Sequence, residues 1–155
     1  MKVWQQRVLR LLQWLAGMRY VKFGVVGASG TVVNMAVLYL CHNYVFDVLE
    51  ADLGKPYVSL AVAIAVATLN NFSWNRLWTW ADRRAPGAEL AAPAYLPQLL
   101  KYALASWFGI ALQYGLTLWL THFMHYLLAN VLAIVVASVS NFLANDRWTF
   151  KKPLP

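Results

Sequence analysis

Four long stretches of this chain contain no Asp, Glu, Lys or Arg, and they decide what it can become. They occupy residues 23–41, 57–74, 102–120 and 123–144, and the first reads "FGVVGASGTVVNMAVLYLC". At 1.5 Å per helical residue, about 19 residues approach the roughly 30 Å thickness of a bilayer's hydrocarbon layer. A helix satisfies its own backbone groups in lipid, whereas an open strand leaves them bare. Composition agrees: 61% of residues are hydrophobic and 12% charged, against about 45–50% and 25% in soluble domains. The expected fold is an all-α membrane protein with four transmembrane helices, spanning about 23–41, 57–76, 100–120 and 124–145.

The remaining segments frame these spans. Residues 1–18 read as an amphipathic juxtamembrane segment, with Val8, Leu11, Leu12 and Leu15 on one face and Arg7 and Arg10 turned outward. A cleavable signal peptide fits poorly, because Arg10 and Gln13 interrupt its apolar core and a better span begins at Phe23. Residues 19–150 form the transmembrane domain and 151–155 a short tail. The connection "ADRRAPGAELAAPAYLPQ", at 81–98, carries three prolines and is expected to be irregular.

Charge predicts orientation. Of the 13 Lys and Arg residues, all but Lys55 lie before the first span, between the second and third, or after the fourth. Lys55 shares its loop with Asp47, Glu50 and Asp52. The positive-inside rule then places both termini in the cytoplasm. The net charge of +7 does not point to nucleic acid. The basic residues are scattered between apolar runs, without a zinc-finger, RNP or recognition-helix context.

One phrase occurs twice. "NFSWNRLWTW" ends the second span at 71–80, and "NFLANDRWTF" ends the fourth at 141–150. Weaker echoes precede the odd spans: Arg19-Tyr20 parallels Lys101-Tyr102, and Gly27 and Gly109 follow at equal distance. The plan is a two-helix hairpin used twice, in parallel topology, since two crossings return the chain to its starting side.

The repeated phrase supplies the candidate site. In a continuous helix Asn71, Asn75 and Trp78 share a face, as do Asn141, Asn145 and Trp148. Asn offers a donor and an acceptor to a headgroup, and an indole offers a platform for a sugar ring. Arg76 and Arg147 stand beside these stripes, and Arg suits phosphate. Arg19, Lys22 and Lys101 stand at helix starts on the same side, where anions are favoured. An alternative reading makes Trp4, Trp14, Trp78, Trp80 and Trp148 interfacial anchors. Deeper in the spans, Asn34, Gln113 and Asn130 serve either as interhelical hydrogen-bonding groups or as a substrate path, which would run along Asn34 and Gln113. Gly24, Gly27 and Gly30 line one side of the first span and invite close helix packing.

Nothing reads as catalytic machinery. His122 and His125 have no carboxylate or thiol neighbours, His42 stands beside Cys41, the sole cysteine, and no P-loop, dinucleotide fingerprint or GxSxG occurs. The chain is expected not to be an enzyme and to need no metal or cofactor.

These residues resemble the GtrA-like family of small four-helix membrane proteins. The resemblance is carried by "RYVKFGVVGASGTVVNMAVLYL" at 19–40, "NNFSWNRLWTW" at 70–80, "LLKYALASWFGIALQYGLTLWL" at 99–120 and "SNFLANDRWTF" at 140–150. Its pattern falls on Phe23, Gly27, Phe72, Asn75, Arg76, Trp78 and Trp80, and again on Phe142, Asn145, Trp148 and Phe150. Asp146 departs from it, standing where Arg is expected after Asn. The resemblance implies a bacterial inner-membrane protein of cell-surface polysaccharide synthesis, including O-antigen modification. Its implied work is to flip a polyprenyl-phosphate-linked monosaccharide from the cytoplasmic to the outer leaflet. The alternative is an adaptor that anchors or positions a polyprenyl-phosphate glycosyltransferase, a membrane enzyme and implied partner. Four helices enclose little volume, so a homodimer is a candidate for forming the route.

Overall fold

The computed structural model describes Trp4, Arg7, Arg10 and Trp14 and residues 17–46, 55–83 and 92–151. The chain forms two compact units, Met1–Ala81 and Asp82–Pro155. In the first, helix α1 (Arg19–Leu40) packs on α2 (Lys55–Trp74). In the second, α3 (Ala92–Leu120) packs on α4 (Tyr126–Ala144). Four segments are long and apolar enough to cross a membrane: Arg19–Val45, Pro56–Thr79, Tyr95–Leu120 and Tyr126–Thr149. Their 24 to 27 residues rise about 36–40 Å, which exceeds the hydrocarbon layer and leaves both ends at the interface.

The helices therefore outrun the apolar stretches that reveal them. α3 begins at Ala92 and contains Pro97, so the end of the connection expected to be irregular is helical. Ala81–Arg83 add a single 3₁₀ turn. Trp4, Arg7, Arg10 and Trp14 are helical and exposed. The expectations for Lys2, Val8, Leu11, Leu12, Leu15, Asp47, Glu50, Asp52, Arg84 and Lys152 fall outside the described residues.

Small side chains make the contacts inside each hairpin, and large ones face outward. Ser59, Ala63 and Ala67 are buried on α2, and Ala129, Ala133 and Ala137 on α4. Val32, Met35, Trp107, Ile110 and Val131 are all more than half exposed. This pattern suits lipid, where close backbone approach rather than escape from water drives helix pairing.

The buried positions also define the repeat. On α1 they are Phe23, Val26 and Gly30; on α3 they include Tyr102, Ala105 and Gly109. Each pair is 79 residues apart (23 to 102, 26 to 105, 30 to 109). On α2 and α4 the separation is 70 (59 to 129, 63 to 133, 67 to 137). The alignment of Arg19-Tyr20 with Lys101-Tyr102, and of Gly27 with Gly109, is thus corrected by three residues. Lys101 corresponds to Lys22, and Gly109 to Gly30. The misalignment is close to one helical turn, which leaves a helix face almost unchanged and makes the two registers hard to separate by pattern alone.

Candidate functional site

Both copies of the repeated phrase end the same way. After Trp74 the chain widens into a π turn, Asn75–Thr79, closed by Trp80 N–H donating to the Asn75 carbonyl at 2.9 Å. After Ala144 it does so again over Asn145–Thr149, with Phe150 N–H to the Asn145 carbonyl at 2.8 Å. A π turn closes five residues back rather than four, so the residues beyond it leave the face they would hold in a straight helix. The terminal aromatic swings inward in each hairpin. Trp80 meets Phe23 edge-on at 5.8 Å between ring centroids, and Phe150 meets Tyr102 at 6.2 Å. Trp80 is 1% exposed, which removes it from the expected interfacial anchors.

The amides lie on the inward side ahead of the turn. Asn75 and Asn145 are buried. Asn75 Oδ1 accepts from Thr79 Oγ1 at 2.8 Å. Asn145 Nδ2 donates to the Asn141 carbonyl at 2.9 Å and to Asn141 Oδ1 at 2.8 Å. Asn71 and Asn141 are half-buried and lie over the neighbouring helix at its glycines. A Cβ on Gly30 would stand 2.0 Å from Asn71 Oδ1, and one on Gly109 3.3 Å from Asn141 Cβ. Of the three glycines expected to pack, Gly30 makes this approach. A Cβ on Gly24 or Gly27 meets nothing within 4 Å among the described residues.

What remains outside is a cation beside an indole, once per hairpin. Lys22 Nζ lies 5.6 Å from the Trp78 ring centroid, and Lys101 Nζ 6.0 Å from that of Trp148. Both are within the range of cation–π attraction. Trp78 is 41% and Trp148 47% exposed, so each ring keeps surface for another group. Arg147 is exposed and Arg19 half-buried at the same end of their own hairpins. An ammonium attracts a phosphate, and an indole face packs against the C–H groups of a sugar. The sequence spacing brought Lys22 to Trp78 and Lys101 to Trp148 only once the helices were paired.

Arg76 and Asp146 occupy the same place in the two phrases. Arg76 is 6% exposed, enclosed in its unit rather than held out toward an anion. A guanidinium that deep persists only with its charge and donors satisfied. Asp146 is met by Arg83, whose Nη2 donates to Asp146 Oδ1 at 2.7 Å. Arg83 Nη1 also donates to the carbonyls of Asp146 and, at 2.8 Å, of Phe150. Gln98 Nε2 donates to the Thr149 carbonyl at 3.0 Å. Arg83 and Gln98 thus hold the end of the second phrase, a role the sequence reading missed. The signal was the single charge inversion at Asp146, which needed a cation from elsewhere in the unit.

Asn34 and Gln113 hold equivalent positions, 79 residues apart, and both are half-buried. Gln113 Nε2 and Thr117 Oγ1 donate to Asn130 Oδ1, each at 3.4 Å. Among the described residues, no three His, Cys, Asp or Glu side chains gather as metal ligands would.

The chain matches the transmembrane domain described as GtrA/DPMS over residues 22–150. It is also similar to a dolichol-phosphate mannosyltransferase of Pyrococcus furiosus, at 31% identity over 149 residues. That alignment covers 94% of this chain and 38% of the relative, so the chain spans well under half of that protein's length.

Proposed function

This multi-pass membrane chain belongs to the GtrA/DPMS transmembrane-domain family, and on that premise we propose that it moves a polyprenyl-phosphate-linked monosaccharide from the cytoplasmic to the outer leaflet. The observation that carries the reading is the cation–indole pair repeated in both hairpins, Lys22 with Trp78 and Lys101 with Trp148. Each pair joins a charge suited to a phosphate with a ring face suited to a sugar. The charge asymmetry of the loops supports a cytoplasmic position for this end of each hairpin, where such carriers would be loaded. Arg19 and Arg147 add positive charge there. Asn34 and Gln113 mark the depth at which the headgroup passes, and the isoprenoid tail stays in lipid.

A second reading is favoured by one observation. The matched relative is named a mannosyltransferase, and this chain corresponds to only 38% of it. A membrane unit of this kind would then anchor or position a polyprenyl-phosphate glycosyltransferase, with the repeated phrases as part of a docking surface. Proteoliposomes holding only this protein and undecaprenyl-phosphate-glucose or its mannose counterpart separate the two. Transfer between leaflets above protein-free vesicles is the expected result. No transfer of either, with retained capture of a glycosyltransferase, would sink the translocation reading in favour of the adaptor.

A further inference from the structure

The two hairpins differ near their far ends, away from the repeated phrases. In the second, Ile110, Gln113, Tyr114, Thr117, Leu118 and Asn130 line a cleft of about 270 Å³. Gln113 is seven residues from the end of α3 at Leu120, and Asn130 four from the start of α4 at Tyr126. Those intervals put the polar groups about 6–10 Å along the helix axis from the connecting turn. In the first hairpin the positions equivalent to Thr117 and Asn130 are Leu38 and Leu60, which line a larger cleft of about 530 Å³ together with Met35. The hydroxyl and the second amide therefore belong to one repeat only.

Helix pairing does not account for these groups. The first hairpin pairs its helices with leucines there. The two bonds to Asn130 Oδ1 are 3.4 Å long, well beyond the usual 2.9–3.0 Å for such donors. Among the described residues, the Asn130 NH₂ and the Gln113 carbonyl have no hydrogen-bond partner beyond this cluster, leaving both donors and an acceptor for a ligand. Amides exposed to lipid are costly when unpaired. No cation lines the cleft, so it offers a phosphate nothing, while its volume falls just under the roughly 300 Å³ at which drug-sized pockets begin. Tyr114 supplies a ring face at the rim.

We infer that this cleft receives the sugar ring of a lipid-linked monosaccharide, through its hydroxyls, at the opposite end of its hairpin from the Lys101–Trp148 pair. The inference rests on the reading that the chain handles such carriers, and it divides the headgroup by chemistry. Phosphate is attracted at the lysine end, and hydroxyls are held at the neutral end.

The test uses the full chain in nanodiscs. Binding of undecaprenyl phosphate is compared with binding of its glucose, mannose and galactose derivatives, for wild type, Asn130→Leu and Thr117→Leu. The substituted residues are those the first hairpin carries at the same register, so folding is expected to survive, and thermal unfolding checks it. The expected result is at least tenfold weaker binding of one glycosylated carrier in Asn130→Leu, a smaller loss in Thr117→Leu, and no change for undecaprenyl phosphate. Wild-type protein that binds undecaprenyl phosphate but prefers none of the glycosylated forms overturns the inference alone. So do variants that bind like wild type, or that lose all carriers equally as their unfolding temperature falls. Wild-type protein that binds no carrier overturns the functional reading along with it.

Discussion

In the first hairpin the residue after the buried asparagine is Arg76, enclosed at 6% exposure. In the second it is Asp146, with its side chain 24% exposed and met by an arginine from outside the phrase. Much around this position is matched: the π turn, the inward aromatic, the burial of the asparagine and threonine, and the lysine against an indole. The comparison separates what the repeat requires from what it tolerates. Backbone course and small-residue packing recur. The sign of one charge does not, provided that its surroundings supply the complement.

The largest effects are expected where the hairpins agree. Trp80→Ala and Phe150→Ala each remove the aromatic that closes the open end of a hairpin. Loss of a large buried ring costs about 3–5 kcal/mol in protein cores. Both variants should unfold at markedly lower detergent denaturant, Trp80→Ala the more so because its ring is larger. A small effect of Phe150→Ala beside a large one of Trp80→Ala would break the equivalence of the two ends.

Where the hairpins differ, restoring the sequence of the repeat should do harm. Asp146→Arg gives the second phrase the Asn-Arg order of the first, yet sets a guanidinium against Arg83. The pair is partly shielded, at 13% and 24% side-chain exposure, so the cost should be about 2–3 kcal/mol, below the 3–5 of a fully buried pair. Arg83→Glu in the same chain should recover the charge part of the loss but not the bonds Arg83 donates to the Asp146 and Phe150 carbonyls. Thermal unfolding of the two single variants and the double variant, taken as a cycle, measures this. Absence of coupling would mean that Arg83 holds the carbonyl oxygens alone.

These differences mark the limit of what was legible beforehand. Four helices were readable because uncharged runs of that length have few alternatives, and the hairpin plan because the phrase is nearly literal. The amide stripe was drawn on a straight helix: Asn75 keeps the inward face of Asn71, and the π turn that begins at Asn75 leaves Trp78 outside. The register of α3 was misread because two tyrosines and two glycines sit one turn apart. Ser59, Ala63 and Ala67 recur at four-residue spacing, as do Ala129, Ala133 and Ala137. That spacing announces the packing face more reliably than the glycines, which draw attention by their rarity.

The glycines allow a finer comparison. Gly30→Ala would bring a Cβ to 2.0 Å from the Asn71 amide, whereas Gly109→Ala meets Asn141 Cβ at 3.3 Å. The first must displace a side chain, and overpacking of that kind costs about 1–3 kcal/mol. The second requires a shift of a few tenths of an ångström and should cost less than about 1 kcal/mol. Asn71→Ala combined with Gly30→Ala should recover stability, since the alanine pair no longer collides. Equal losses from the two single glycine variants would show that helix separation, not the amide, sets the limit.

The smallest predicted effect separates the hairpins most sharply in sign. Thr79 and Thr149 are equivalent and buried at 2% and 5% exposure. Thr79 Oγ1 donates to Asn75 Oδ1 at 2.8 Å. In the second hairpin the corresponding atoms, Thr149 Oγ1 and Asn145 Oδ1, are both buried without a hydrogen-bond partner among the described residues. Valine keeps the shape of threonine and removes the hydroxyl. Thr79→Val therefore deletes a made bond and should destabilise by about 1 kcal/mol. Thr149→Val deletes a desolvated hydroxyl that gains nothing, so it should be neutral or slightly stabilising. A loss in Thr149→Val equal to that in Thr79→Val would mean that the two hydroxyls are bonded alike in the membrane and that the hairpins agree at this position too. A loss in Thr79→Val alone would locate the looser of the two phrase ends in the hairpin that already depends on Arg83 and Gln98 to hold its chain in place.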